Sequence, residues 1–424
     1  MKKATLTRLL STALAALTVF CFTACGHGTA TSARITDSGE LVVTYSGGRE
    51  ENLGKLSAVG GTTVVIDGVE GDVSAATSIG LASAVSVKAG FTRTNKAPSY
   101  GILPGYGKSE YSSAGSGVIY RLDKNSGDAF IITNYHVIYD SASDSGVSRK
   151  ISVMLYGKEQ SEYAIEAEYV GGSAYYDIAV LHVSGAEALR GSVYRAATPS
   201  TENVAAGDRA IAIGNPESGG IAASQGIISV SSEYITMTAA DGASRVAHRV
   251  IRVDTAVNSG NSGGGLYSDK GELLGIVNAK IVDESVENIG YAIPAKVATA
   301  VADNIIDNCY GRDCTTVMRA ELGISLTATS SEAQVCADGS LRIVETVSVY
   351  GIDEGSAAEN ILKSGDRLVS ATLGERTVEI DRTYRLIDLM LHARAGDTLS
   401  LSVVRDGAPL TLQIQITDGM ISPR

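Results

Sequence analysis

Residues 258–266 read NSGNSGGGL: a serine, Ser262, set among glycines and followed by an apolar residue, Leu266. Glycine on both sides of a serine suits a turn whose backbone must approach its surroundings closely, because Gly260 and Gly263 carry no Cβ. Outward from this turn the chain runs in short apolar bursts bounded by Gly, Asn, Asp or Ser. One, 273-LLGIV-277, follows it; 128-DAFIIT-133, 151-ISVMLY-156, 178-IAVLHV-183 and 209-RAIAIG-214 precede it. Bursts this short, at this rhythm, predict a sandwich or barrel of strands from about Leu81 to Pro294. Composition points the same way. The 424 residues include 47 glycines but 7 prolines, and 19% are charged, which fits strands joined by glycine turns better than long surface helices. The fold class is therefore mainly β.

Two further segments also place a polar residue at a strand end: 131-IITNYHVI-138 offers His136 and 175-YYDIAVL-181 offers Asp177. Together with Ser262 they run in the order His, Asp, Ser, separated by 41 and 85 residues. A serine hydroxyl is a poor nucleophile at neutral pH, so acyl transfer needs an imidazole to take its proton and a carboxylate to hold that imidazole in one tautomer. His136 and Asp177 fit those roles. The negative tetrahedral intermediate needs preorganised N–H donors, and the Gly260–Asn261–Ser262 backbone can present them, with the N–H groups of Gly260 and Ser262 as the natural pair. Taken singly, each residue has an ordinary reading: a structural or solvated histidine, a strand-start aspartate, a flexible glycine loop. Three in order, each in its own strand-linked motif, point to a nucleophilic hydrolase. A lipase or esterase is disfavoured, since those enzymes usually follow the order Ser, Asp, His around G-x-S-x-G.

At these residues the chain resembles the HtrA (DegP/DegS-like) serine proteases of the trypsin-like clan. The resemblance is carried by Gly115–Ile119, Thr133–Val137, Asp177–Leu181, Ile213–Pro216, Gln225–Ser229, Gly260–Leu266, Leu273–Ile276 and Gly290–Pro294, in that order. It implies two packed six-stranded β-barrels, with His136 and Asp177 from the first and Ser262 from the second. One departure is Gly265, where the family usually has proline. At Asn261 digestive relatives carry an acid that pairs with a newly cut N-terminus; a neutral Asn cannot, so reversible ordering of the loops around Ser262 is expected in place of zymogen cleavage. Ala256, six residues before the nucleophile, stands where a trypsin-like pocket would hold a carboxylate. That predicts cleavage after small or medium aliphatic residues, with Asn278, Ala279 and Lys280 as pocket walls.

The remaining segments set the domain plan. Residues 1–25 combine a basic start, Lys2, Lys3 and Arg8, with an uncharged stretch from Leu9 to Ala24, too short to span a bilayer as a helix. They read as an export signal, and Thr23-Ala24-Cys25 resembles a bacterial lipobox in which Cys25 would be lipidated, tethering the protein to the outside of the cell membrane. Residues 26–80 are expected to be a spacer or a small strand pair, and 81–308 the protease domain. Apolar residues at every fourth position, Val297, Val301 and Ile305, predict a helix over Ala295 to Asn308 that closes this domain. Residues 315–418 read as a compact mixed module with a short helix at SAAENIL and another near Thr383 to Ala393. Segments 321-ELGI-324 and 395-AGDTLSLSVVRDG-407 resemble the PDZ domain that follows the protease in this family, an α+β fold. The resemblance implies that Leu322, Gly323 and Ile324 would hold the terminal carboxylate of a peptide added as a strand, opposite a helix carrying Leu386, Leu389 and Met390.

Cys309 and Cys314 could close a ring between the domains, leaving Cys336 over, and no set of zinc ligands is visible. The net charge is −12, and −15 without the three leader cations, which excludes a nucleic-acid footprint. No cofactor or metal is expected. The implied partners are unfolded or misfolded polypeptides, C-terminal peptides, the membrane through a lipid anchor, and two further copies in a homotrimer. A reading from another class is a proteolytically silent peptide-binding or chaperone-like protein.

Overall fold

The computed structural model describes residues 30–35, 40–45, 50–58, 64–67, 73–97, 105–279, 289–335 and 341–424. The expected export signal with Cys25, the pocket residue Lys280, and Cys336 lie outside the described residues. The chain divides into two units, residues 1–76 and 77–424.

The first unit holds an antiparallel sheet of four strands, β1 (Ala30–Ile35), β2 (Glu40–Tyr45), β3 (Glu50–Ala58) and β4 (Val64–Asp67), paired in chain order. Residues 26–80 are thus more than a spacer or a single strand pair. Strand β3 escapes a sequence reading because EENLGKLSA has neither alternation nor β-branched residues; its ladder is supplied by a neighbour on each side.

The second unit contains two closed six-stranded barrels. β5 (Ala84–Ala97), β6 (Gly105–Asp123), β7 (Asp128–Thr133), β8 (Lys150–Leu155), β9 (Ile165–Ser173) and β10 (Ile178–Val183) close in the order β10-β7-β6-β5-β8-β9. β11 (Arg209–Gly214), β12 (Ala222–Thr238), β13 (Arg245–Val253), β14 (Gly265–Tyr267), β15 (Leu273–Val277) and β16 (Gly290–Pro294) close in the order β11-β12-β13-β16-β15-β14. Within each closed ring every strand has a neighbour on both sides, while the β5–β6 hairpin runs on beyond its barrel as a two-stranded ribbon over residues 91–97. Val85, Ile119, Ile131 and Leu181 fill the first barrel; Ala210, Ile228, Val253 and Leu266 fill the second. All six residues of β10 are buried, because its outer face is covered as well. The cover is the helix Ala295–Cys309, which packs against β9, β10 and β15 and buries Val297, Val301 and Ile305. The every-fourth-residue spacing thus marks the face that lies across both barrels.

A disulfide joins Cys309, at the end of that helix, to Cys314, and Tyr310 between them packs edge-on against Phe130 of β7. The C-terminal module follows. β18 (Ile324–Val335), β19 (Leu341–Ile352), β20 (Arg367–Leu373), β22 (Thr398–Arg405) and β23 (Ala408–Gln415) form its sheet, with β21 (Arg376–Glu379) paired to β20. β17 (Met318–Ala320) pairs separately with β24 (Ile421–Pro423). The core between the sheet and the helix Tyr384–Met390 includes Val347, Leu368, Leu386, Leu389, Leu399 and Leu401. The expected helix at SAAENIL is instead a run of turns, in which Glu359 and Ile361 bond three residues back and Leu362 N–H to Ala358 O is the one bond of α-helical spacing.

Candidate active site

β7 ends at Thr133, and the following single helical turn, Tyr135–Ile138, carries His136. β10 begins directly after Asp177. Ala179 pairs with Thr133, so the ladder joining β10 to β7 brings the histidine and the aspartate side by side. Asp177 adopts left-handed backbone, φ +51, which Asp tolerates better than most residues.

Its carboxylate receives three N–H bonds. His136 donates from its backbone N–H to Oδ1 at 2.9 Å and bonds through ring Nδ1 to Oδ2 at 2.7 Å. Asn278 donates from Nδ2 to Oδ2 at 2.8 Å. The Asn134 amide fixes the backbone beneath by donating to the Asp177 carbonyl at 2.8 Å. The Asp177 side chain is 1% exposed. Burial alone would push its carboxyl up, but the charge and hydrogen bonds of His136 outweigh burial and hold it below the usual carboxylate range. With Nδ1–H committed to the carboxylate, Nε2 is left as the basic ring nitrogen.

Ser262 directly follows a turn, residues 258–261, defined by two observations: Asn261 N–H donates to Asn258 O at 3.0 Å, and Gly260 has φ +95. Ser259 is not among the residues with positive φ. A four-residue turn with positive φ only at its third position is type II, the form that calls for glycine there. The N–H groups of Gly260 and Ser262 meet no acceptor among the described residues.

The first barrel braces this turn through Ser116 of β6. Ser116 N–H donates to Ser262 O at 2.8 Å, and Ser116 Oγ donates to Gly260 O at 2.7 Å while accepting Asn215 N–H at 2.8 Å. The space is tight. A Cβ on Gly260 would lie 2.3 Å from Asn215 O, and one on Gly263 would lie 2.2 Å from Ser116 O. Gly265 is explained the same way, because Tyr267, fully buried and bonded to Ser83 Oγ at 2.8 Å, would stand 2.3 Å from its Cβ.

His136 and Asp177 are joined, whereas Ser262 is hydrogen-bonded elsewhere. Its Oγ accepts Ala279 N–H at 3.2 Å, and no hydrogen bond links it to His136 among the described residues. Two pocket assignments need correction. Asn278 is fully buried with its amide on Asp177, so its side chain is a brace for the carboxylate and not a pocket wall. Ala256 is exposed, while Thr255 and Val257 on either side are buried. Counting back from the nucleophile fixes a distance along the chain, but in the irregular segment after β13 it does not fix which residue is buried. Val257 is the inward residue, and a Cβ on Gly290 would come within 2.7 Å of its methyl group.

In the C-terminal module, Leu322 is buried, Gly323 has φ +67, and Ile324 opens β18. These three and Met390 line a cavity of about 740 Å³ whose far wall is Tyr175 and Tyr176, immediately before Asp177. Arg319 of β17 crosses the gap and donates to Tyr176 Oη at 3.0 Å. No group of three or more His, Cys, Asp or Glu side chains suited to hold a metal occurs among the described residues, and none of their helices is long and apolar enough to cross a membrane.

Residues 115–276 match the trypsin-like peptidase domain family and residues 320–416 the PDZ domain family. The chain is similar to the serine protease Do-like HtrA of Lactococcus lactis subsp. cremoris, at 30% identity over 73% of this chain and 72% of the relative. It is 28% identical to the corresponding HtrA of Bacillus subtilis, over 72% of this chain and 64% of that one. Among solved structures, an HtrA-type protease, AlgW with a tripeptide, is similar over 83% of this chain and 98% of its own, with a TM-score of 0.51 and 26% identity.

Proposed function

The chain belongs to the HtrA family of trypsin-like serine proteases, and from that membership we propose that it is an exported endopeptidase that cleaves unfolded or damaged polypeptides through an acyl-enzyme. The observation that carries the reading is the His136–Asp177 pair at 2.7 Å, set opposite a glycine turn whose Gly260 and Ser262 N–H groups are unspent.

In this reading Ser262 Oγ leaves Ala279 N–H and turns to His136 Nε2. As Oγ attacks the scissile carbonyl, its proton passes to Nε2 and the carbonyl electron pair moves onto oxygen. Gly260 and Ser262 N–H groups receive that oxyanion, each worth about 3 kcal/mol in the transition state. His136 then gives the proton to the leaving amine, and the C–N bond breaks. Water, deprotonated by the same Nε2, attacks the Ser262 ester; the acyl C–O bond breaks, Nε2 returns the proton to Ser262 Oγ, and the acid is released. Asp177 stays ionised throughout, supporting the imidazolium.

Specificity for small or medium aliphatic residues is supported by the pocket segment. Residues 255–261 contain no acid, and the nearby Asp254 carboxylate is engaged by Ile227 N–H at 2.6 Å. The groove behind Leu322, Gly323 and Ile324 would take the C-terminus of a polypeptide by strand addition, with the carboxylate at the Gly323 turn. Lipidation at Cys25 would keep the enzyme on the outer face of the cell membrane, and a homotrimer is the assembly proposed.

The parked position of Ser262 supports an enzyme whose competent state is a minor population at rest. The test uses a fluorophosphonate probe and denatured casein on the parent and on Ser262→Ala. Labelling and cleavage that vanish in the variant are expected. A parent left unlabelled even with hydrophobic C-terminal peptides present would leave only a peptide-binding protein.

A further inference from the structure

Away from the catalytic cleft, a cavity of about 100 Å³ opens between the second barrel and the C-terminal module. That is several times the roughly 10–15 Å³ that one water requires. Five cations line it, Arg249 of β13, Lys296, Arg342 of β19, Arg382 and Arg385, against the acids Glu202, Asp381 and Asp388. The acids already have partners. Asp388 is paired with Arg249, and Asp381 is shared by Arg385 at 2.8 Å and Arg342 at 3.8 Å. Glu202 faces Lys270 at 3.3 Å, and Arg382 is met by Glu345 at 3.3 Å.

Lys296 forms no ion pair among the described residues; its Nζ donates to Asn203 Oδ1 at 3.2 Å. Arg385 Nη1 donates to the same oxygen at 3.3 Å. Lys296 stands on the helix Ala295–Cys309 and Arg385 on the helix Tyr384–Met390 of the module. Two cations from separate parts of the fold thus converge on one neutral amide oxygen, the arrangement an anionic oxygen would satisfy far better. Three further observations show that positive charge here is incompletely matched. The Arg249, Arg382 and Arg385 guanidinium groups gather around the single ring of Tyr384, at 4.1, 5.2 and 5.6 Å from its centre. Arg249 Nε is buried and meets no acceptor among the described residues. Desolvation by the wall, then the charges of Arg385 and Arg249, lower the Lys296 ammonium below the ordinary lysine range, and Asp388 does not offset them. The helix Ala295–Cys309 adds the positive end of its dipole, since Pro294 gives it no side-chain cap and its first turn holds no acid.

We infer that this cavity binds a tetrahedral oxyanion of the phosphate class, held by Lys296, Arg385 and Arg249 where Asn203 now offers a lone neutral oxygen. Because Lys296 belongs to the protease domain and Arg385 to the module, the bound anion cross-links the two. The inference does not depend on the acyl-transfer reading of Ser262.

The test titrates sodium phosphate into the intact chain at constant ionic strength set by sodium chloride, reading calorimetric binding and melting temperature. Saturable binding at one site that raises the melting temperature is expected, since a ligand held only by the folded chain stabilises it. Lys296→Met and Arg385→Met should each weaken binding about tenfold or more, the effect of losing a hydrogen bond to a charged group. Asn203→Asp carries an opposite signature. A carboxylate between the two cations should raise the melting temperature in phosphate-free buffer and also weaken phosphate binding about tenfold or more. Lys88→Met, which removes an exposed lysine of β5, should leave affinity within about twofold. If Arg385→Met fails to fold, Asn203→Asp and Lys296→Met decide. Competition identifies the source of the anion. Displacement by glycerol 3-phosphate but not by short-chain phosphatidylglycerol assigns the site to free phosphate and its monoesters, and displacement by both extends it to lipid headgroups. Phosphate acting no differently from chloride, or Asn203→Asp and Lys296→Met binding it as the parent does, overturns the inference while leaving the protease assignment untouched.

Discussion

Replacing Asp177 by Asn is nearly isosteric yet cannot satisfy the donors that surround it. The carboxylate receives His136 N–H at Oδ1 and both His136 Nδ1 and Asn278 Nδ2 at Oδ2. An amide has one oxygen and one NH₂ group. With its oxygen at the Oδ1 place, the NH₂ confronts the Asn278 NH₂ and forces Nδ1 to become an acceptor. His136 then carries its proton on Nε2 and cannot act as the base. With the oxygen at the other place, the NH₂ confronts the His136 backbone N–H in a site that is 1% exposed. A triad held in the wrong tautomer loses about 10⁴ in kcat, and four decades correspond to about 5.5 kcal/mol of transition-state stabilisation. The assay is kcat for a fluorogenic peptide, with fluorophosphonate labelling rate and melting temperature alongside. Asp177→Asn that is folded and retains kcat within tenfold of the parent would falsify the assignment of Asp177 to the imidazole.

Asn278→Ala separates a brace from a pocket wall. It deletes a 2.8 Å bond to a buried carboxylate, and hydrogen bonds to charged groups are worth about 1.5–3 kcal/mol, so kcat is expected to fall about tenfold or more with P1 preference unchanged. A changed P1 preference with kcat intact, measured on a peptide library, would return Asn278 to the pocket. In the C-terminal module Arg405 bonds bidentately to Asp366, which is 1% exposed, and these bonds hold the Asp366 carboxyl below the usual carboxylate range. A carboxyl lowered by folding stabilises the fold above its unfolded pKa, and that contribution fades as pH drops through the lower folded value. Calorimetry of inactive Ser262→Ala should therefore show the melting temperature falling from about pH 4 downward. Arg405→Met should show a shallower fall in that window, and equal slopes would contradict the linkage.

Much of this architecture can be read from the chain because β7, β8, β10, β11 and β15 coincide with short apolar bursts, as in 178-IAVLHV-183, whereas β6 is polar and glycine over most of its length. The proposed triad is legible for the same reason: His136 stands three residues after β7, Asp177 stands one residue before β10, and Ser262 stands among glycines. What cannot be read is direction. Nothing in 273-LLGIVNAK-280 says that the Asn278 amide reaches across to the other barrel, and counting to Ala256 cannot tell which neighbour faces inward. Glu217 shows the extreme case. Its backbone N–H, in left-handed geometry, donates to Ser259 O at 2.9 Å, and that leaves no trace in residue type beyond the glycines that follow it.

The two barrels are cross-stitched at the catalytic cleft. Asn278, just beyond β15 of the second, secures Asp177 of the first, while Ser116 in β6 of the first secures the Gly260 carbonyl of the second. Those stitches are 2.8 and 2.7 Å long, so a sideways slip of about 2.5 Å between the halves stretches them to about 3.8 and 3.7 Å, beyond hydrogen-bond range. Such a slip leaves each hydrophobic interior intact, yet it dismantles the base and the anion receptor in the same movement. Loss of turnover under heat or pressure is then expected to precede melting, because turnover depends on the register of the two barrels and melting on their interiors.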